Sequence, residues 1–223
     1  MTMTTCIEFS DVSNADAPVR GYLHRSSPNA DCLILTHGAG ANCRAPLLMA
    51  LADAFCAAGL TVLRCDLPFR QIRPHGPPPF GNAERDQAGL RGAVAAMRRI
   101  SPGKVFLGGH SYGGRQSSIL AADEPGLAEG LLLLSYPLHP PKRPDVLRTK
   151  HFPSLQVPAL FVHGTRDRFG TIAEMQLAIA LIPARTELVA IDHAGHELMT
   201  PGNREEFVGQ VTSRFLAFAH LTA

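Results

Sequence analysis

One serine in this sequence stands where its hydroxyl could act as a nucleophile. Gly109-His110-Ser111-Tyr112-Gly113 has the pattern Gly-x-Ser-x-Gly, after the apolar run Lys104–Leu107 and ahead of a helical segment. A serine on so sharp a strand-to-helix turn holds its hydroxyl clear of the backbone. Gly109 and Gly113 let strand and helix approach where a Cβ would intrude. The pattern alone also fits an ordinary glycine-rich loop; its setting between strand and helix is what gives it weight. Such a hydroxyl needs a base to take its proton and a carboxylate to fix that base. The run Ala159–His163 ends in Gly164-Thr-Arg-Asp167, and Glu187–Ile191 ends in Asp192-His-Ala-Gly-His196. Ser111, Asp167 and His196 therefore follow one another in the order serine, acid, histidine, each just after a strand. His196 is preferred over His193 because Gly195 frees its loop to turn the ring back over the sheet. His193, nearer the strand, reads as structural. Asp192 is the weaker rival for the acid, since it follows the last strand instead of the penultimate one.

Attack on a carbonyl builds negative charge on its oxygen, which two backbone N–H groups can hold. One candidate is Tyr112, the residue after the serine. The other is Ala39, in His37-Gly38-Ala39-Gly40 after the run Asp31–Thr36; the alternative for that loop is a plain tight turn. Cations also follow strand ends: Arg70, Arg73, Arg115, Lys142, Arg143, Arg166 and Arg168. Of these, Arg70, Arg73, Arg115 and Arg168 are candidate substrate-binding residues, suited to a carboxylate on an anionic ester. The competing reading is a set of solvated surface arginines, with Arg166 paired to Asp167 or a neighbouring carboxylate. His24, His75, His139, His151 and His220 read as surface or loop residues. His193 and His196 by themselves do not make a metal site. No phosphate-binding loop, dinucleotide loop or metal cluster is present, so neither cofactor nor metal is expected and the co-reactant is water.

These residues need a frame that brings strand ends together. Short continuous apolar runs at 31–36, 60–65, 104–107, 130–135, 159–163 and 187–191 read as buried strands. Between them lie helical segments near 45–58, 84–100, just after Ser111, 172–181 and 204–218, with Gly59 stopping the first. Thr5–Phe9 and Val19–His24 read as a leading hairpin. Alternating strands and helices imply a mostly parallel sheet covered on both faces, with ligands bound outside the carboxyl ends of its strands.

The composition agrees. The chain has 223 residues, 45% hydrophobic and 18% charged, with a net charge of +2, which excludes disorder and suits one domain over residues 1–223. No apolar run approaches the roughly 20 residues of a membrane span. The 18 Arg and 3 Lys form no dense basic block, so no nucleic-acid partner is expected. Met1–Cys6 lacks the basic start and apolar core of a secretory leader. Cys6, Cys32, Cys43, Cys56 and Cys65 are odd in number and without Cys-x-x-Cys spacing, which points to a reducing cytoplasm.

From these residues the chain resembles the α/β-hydrolases, in particular the small dienelactone-hydrolase-like kind. Leu35-Thr-His-Gly-Ala-Gly40, Ser135-Tyr-Pro-Leu-His-Pro-Pro141 and Gly164-Thr-Arg-Asp167 further resemble the family containing a testis-expressed protein and a subunit of the nonspecific-lethal chromatin complex. The matches run from about Leu33 to His196. The resemblance implies a sheet of about eight strands and Ser111, Asp167 and His196 as a catalytic triad. Dienelactone hydrolases proper use a cysteine nucleophile, and Ser111 departs from that pattern.

The function expected is hydrolysis of a carboxylic ester or related acyl bond. A peptidase or thioesterase could use the same residues, and an interaction module could keep the same fold without catalysis. No helical cap is expected: residues 136–158 contain Pro137, Pro140, Pro141, Pro144, Pro153 and Pro158, leaving room for one short turn near Asp145–Thr149.

Overall fold

In a computed structural model, residues 5–220 are described; Met1–Thr4, on which the leader reading rests, and residues 221–223 lie outside them, as does the side chain of His220. Eight strands form one sheet in the order β1-β2-β4-β3-β5-β6-β7-β8. They are β1 (Thr5–Asp11), β2 (Val19–Arg25), β3 (Cys32–Thr36), β4 (Thr61–Asp66), β5 (Val105–His110), β6 (Gly130–Leu134), β7 (Ala159–Gly164) and β8 (Thr186–Ile191). The helices are α1 (Pro46–Ala57), α2 (Pro68–Ile72), α3 (Ala83–Ile100), α4 (Tyr112–Asp123), α5 (Ile172–Ile179) and α6 (Arg204–His220). β1 and β2 form the expected antiparallel pair, and β2 also runs antiparallel to β4. All other neighbours are parallel.

Strand periodicity explains the unbroken apolar runs. Successive side chains point to opposite faces, so a strand covered on both sides must be apolar throughout. In β3, Cys32 and Ile34 join the core beneath α3, α4 and α5, while Leu33 and Leu35 join the core beneath α1 and α6. In the second layer Phe215 of α6 meets Phe55 and Phe106 edge-on, with ring centroids 5.4 Å apart in each pair.

Strand order also locates the site. After β3 the chain adds β4 on one side, then returns to lay β5 against the other side of β3. The loops after β3 and β5 therefore part in opposite directions and leave a crevice, the place where ligands enter open parallel sheets.

Three details differ from expectation. β5 runs on through Gly108, Gly109 and His110. A Cβ on Gly108 would sit 2.2 Å from the carbonyl oxygen of Leu132, so close strand approach selects glycine there. α2, only five residues long, is too short to show periodicity. Between β6 and β7 the one helical element is a single 3-10 turn at Phe152–Ser154, beyond the expected 145–149, and no cap is built. Among the described residues no helix is long and apolar enough to cross a membrane.

Candidate functional site

The serine turn is strained as its sequence demands. Ser111 has φ 51° and ψ −113°, a conformation that L-residues rarely adopt. Its N–H donates to the Leu134 carbonyl at 2.8 Å, and the Ser111 carbonyl accepts from the Arg115 N–H at 2.9 Å. Close packing forces the flanking glycines. A Cβ on Gly109 would lie 2.5 Å from the Thr36 carbonyl oxygen, and one on Gly113 would lie 2.3 Å from Thr36 Oγ1. β3, β5 and α4 thus pin the serine at the crevice.

Ser111, His196 and Asp167 meet there. His196 Nε2 lies 2.9 Å from Ser111 Oγ, and His196 Nδ1 lies 2.8 Å from Asp167 Oδ2. The Asp167 side chain is fully buried, with Oδ1 accepting from the Phe169 N–H at 2.9 Å. Burial alone would raise this carboxyl; the hydrogen bond and charge of His196, the Phe169 amide and His163 outweigh it and hold the carboxyl below its ordinary range. Nδ1 of His196, facing a carboxylate, carries the proton, which leaves Nε2 free to accept the Ser111 hydroxyl hydrogen. The line can therefore move a proton from serine to imidazole. His193 and Asp192 take no part: both are exposed, and His193 Nδ1 accepts from Arg166 at 3.0 Å. That bond replaces the carboxylate partner expected for Arg166.

The loop after β3 lies against the serine. A Cβ on Gly38 would come within 3.5 Å of Ser111 Cβ. His37, fully buried, accepts the Leu67 N–H at Nε2 (3.1 Å), so its Nδ1 carries hydrogen and donates to the Gly38 carbonyl at 2.9 Å. Ala41 N–H donates to the same carbonyl at 3.1 Å. In a trans peptide the N–H points opposite to the C=O. Holding the Gly38 oxygen therefore turns the Ala39 N–H away from both donors. Tyr112 opens α4, where backbone N–H groups lack helical partners. Its ring is anchored by its hydroxyl, which donates to Asp86 Oδ2 at 2.7 Å. Burial raises the Asp86 carboxyl, opposed by the Phe69 N–H, Tyr112 and Asn82.

The four candidate arginines do not converge. Arg70 is 5% exposed and donates to the carbonyls of Ala39 (2.6 Å), Arg73 (2.8 Å) and Gly76 (2.8 Å), bracing the loop that carries Ala39. Arg73 is exposed and donates to the His75 carbonyl at 3.1 Å. Arg115 is half-buried and faces Tyr136, Arg148 and His151. Arg168 is exposed, its guanidinium 5.9 Å from the Phe169 ring centroid. Two histidines read as surface or loop residues are in fact buried. His24 accepts from Arg64 Nε at 2.9 Å, and His139 lies 3.7 Å from Glu174. His37, His110, His163 and Phe169 were not singled out by sequence. For the three histidines the signal was a polar ring ending or following a buried strand, where it needs a partner; Phe169 gave none.

The comparisons with known proteins agree with this fold. A family model described as "Alpha/beta hydrolase domain" matches residues 29–219. The chain belongs to that α/β-hydrolase family. Solved α/β-hydrolase-like structures overlay nearly the whole chain. A dienelactone hydrolase from Anabaena variabilis is 22% identical with a TM-score of 0.76, covering 95% of this chain and 98% of that one. Est1E from Butyrivibrio proteoclasticus is 15% identical with a TM-score of 0.75, covering 95% and 98%. An alpha-beta serine hydrolase homologue from Coxiella burnetii is 18% identical with a TM-score of 0.73, covering 96% and 99%. The α/β-hydrolase fold is thereby established.

Proposed function

We propose that this protein is a serine esterase that cleaves a carboxylic ester through an acyl-enzyme. The observation that carries the reading is the unbroken line from Ser111 Oγ to His196 (2.9 Å) to Asp167 (2.8 Å). His196 Nε2 takes the Ser111 proton as Oγ attacks the ester carbonyl. The resulting oxyanion is held by the N–H groups of Ala39 and Tyr112, and Asp167 stabilises the imidazolium. His196 then gives its proton to the departing alkoxide. Water, deprotonated by the same nitrogen, attacks the acyl carbon and restores Ser111. No cofactor or metal enters these steps. A thioester or peptide bond would obey the same chemistry, and small-ester turnover is the measurement that ranks them. The intact line speaks against a module that keeps the fold without catalysis. The likeness of Ser135–Pro141 and Gly164–Asp167 to the family of the testis-expressed protein belongs to this reading, as does a cytoplasmic setting, supported by five cysteines without Cys-x-x-Cys spacing. A fluorophosphonate probe tests the proposal directly: it should label the wild type and leave Ser111→Ala unlabelled. Equal labelling of both would overturn it.

A further inference from the structure

A groove of about 520 Å³ opens beside the loop that carries Ala39. Its floor is one face of β1, β2 and β4, where Glu8, Arg20, Tyr22 and Asp66 point the same way by strand periodicity. The alternate residues Val19, Leu23 and Cys65 point to the other face and fill the core there. Asn42, Cys43 and Arg44, from the loop after β3, form one wall, and Arg70, Pro74 and His75 form another.

The charges in this groove are unbalanced. Arg20, Arg44 and Arg70 face Glu8 and Asp66, yet none of the three guanidinium groups has a carboxylate within 4.0 Å among the described residues. Asp66 Oδ1 is already occupied by the Cys43 N–H at 2.7 Å, with His37 3.5 Å away. Arg44 is held in place, with its guanidinium carbon 5.3 Å from the Tyr22 ring centroid and a hydrogen bond to the Tyr22 hydroxyl. Arg70, 5% exposed, gives three of its N–H groups to carbonyls, while its buried Nε has no partner. A buried guanidinium with open donors can donate to a carboxylate. The same Arg70 holds the Ala39 carbonyl, and Asn42 is three residues from Ala39, at most about 11 Å along the chain. Arg70 thus touches both the groove and the loop that carries Ala39 beside the Ser111 crevice.

We propose that this groove binds the ionised acid group of the substrate, so that the enzyme acts on monoesters of dicarboxylic acids. The proposal rests on the esterase reading and deepens it. The test uses mono-p-nitrophenyl esters of dicarboxylic acids from succinate to suberate, each beside its neutral methyl-capped partner. Wild type, Arg20→Ala, Arg44→Ala and the double variant are compared at low and high salt. The charged ester of best length should exceed its capped partner in kcat/KM by about tenfold or more, the worth of one charge-assisted hydrogen bond. The double variant should lose that preference and still turn over capped esters normally, and salt should shrink it in the wild type. Equal rates for both esters at every length, or a preference that survives in the double variant, would overturn the proposal. If no ester of either kind is turned over, the esterase reading has failed; succinate binding to Ser111→Ala, by calorimetry, then judges the groove alone. Succinate binding that depends on Arg20 and Arg44 upholds an acid-binding groove, and absent or independent binding overturns it.

Discussion

The Nε2 of His110 lies 2.8 Å from the carbonyl oxygen of His196, so the residue before the serine holds the backbone of the histidine that faces it. A carbonyl only accepts, which fixes the His110 proton on Nε2. Burial pulls the His110 pKa down and keeps the ring neutral, against the opposing effect of the hydrogen bond itself. The two rings stack obliquely with centroids 5.1 Å apart. His110→Ala should lower kcat by up to about a hundredfold with little change in KM, the effect of a small misplacement of the base. His110→Gln, which can still donate, should recover part of the loss. Esterase kinetics on all three proteins check this, and unchanged kcat in His110→Ala would refute it.

Ser111→Ala and His196→Ala should each reduce p-nitrophenyl acetate turnover by several orders of magnitude. Because the two act as one unit, the double variant should be little worse than either single change. Multiplying losses would mean the residues act independently.

Asp167→Asn should keep the fold and favour the wrong imidazole tautomer, with a loss on the order of ten-thousandfold. Asp192→Asn, at an exposed position, should be close to wild type. A reversed ranking would reassign the acid.

Asp167 also links stability to pH. Its folded pKa lies below the ordinary value of 3.8, so its contribution is present above about pH 4 and is lost as pH falls through the lowered value. The melting temperature of the wild type should therefore fall more steeply below pH 4 than that of Asp167→Asn. Parallel curves would show that Asp167 adds nothing to acid stability.

With no cap between β6 and β7, turnover should rise smoothly as an ester passes from monomer to emulsion. A sharp jump at the solubility limit would reveal a lid that the chain between Ser135 and Pro158 does not provide.

The central strands were legible because both faces of β3, β5, β6 and β7 are covered, which forces unbroken apolar runs. The order Ser111, Asp167, His196 was legible because each follows a strand, the first two buried throughout and the last, β8, at the edge. The arginines were not. Chain position says that Arg70 follows β4 but not that its guanidinium turns inward to three carbonyls. Arg20 and Arg44 drew no notice, because Arg20 lies near the start of a strand and Arg44 sits in a loop; only the fold brings them to the floor and wall of one groove. His24 read as a surface residue since nothing in the sequence shows that Arg64, forty positions away, donates to it.

Ser111 and His196 hang from parts of the sheet that differ in how firmly they are held. β5 is clamped between β3 and β6, whereas β8 pairs with β7 alone at the margin of the sheet. Marginal elements open more readily than central ones, at a fraction of the cost of global unfolding. Fraying of β8 would carry the histidine away from the serine while the core stays intact. On warming, the molecule should thus fall silent before it melts, with amide exchange at Thr186–Ile191 outpacing that at Val105–His110. Thermal inactivation would then report the loosening of one border strand, not the loss of the fold.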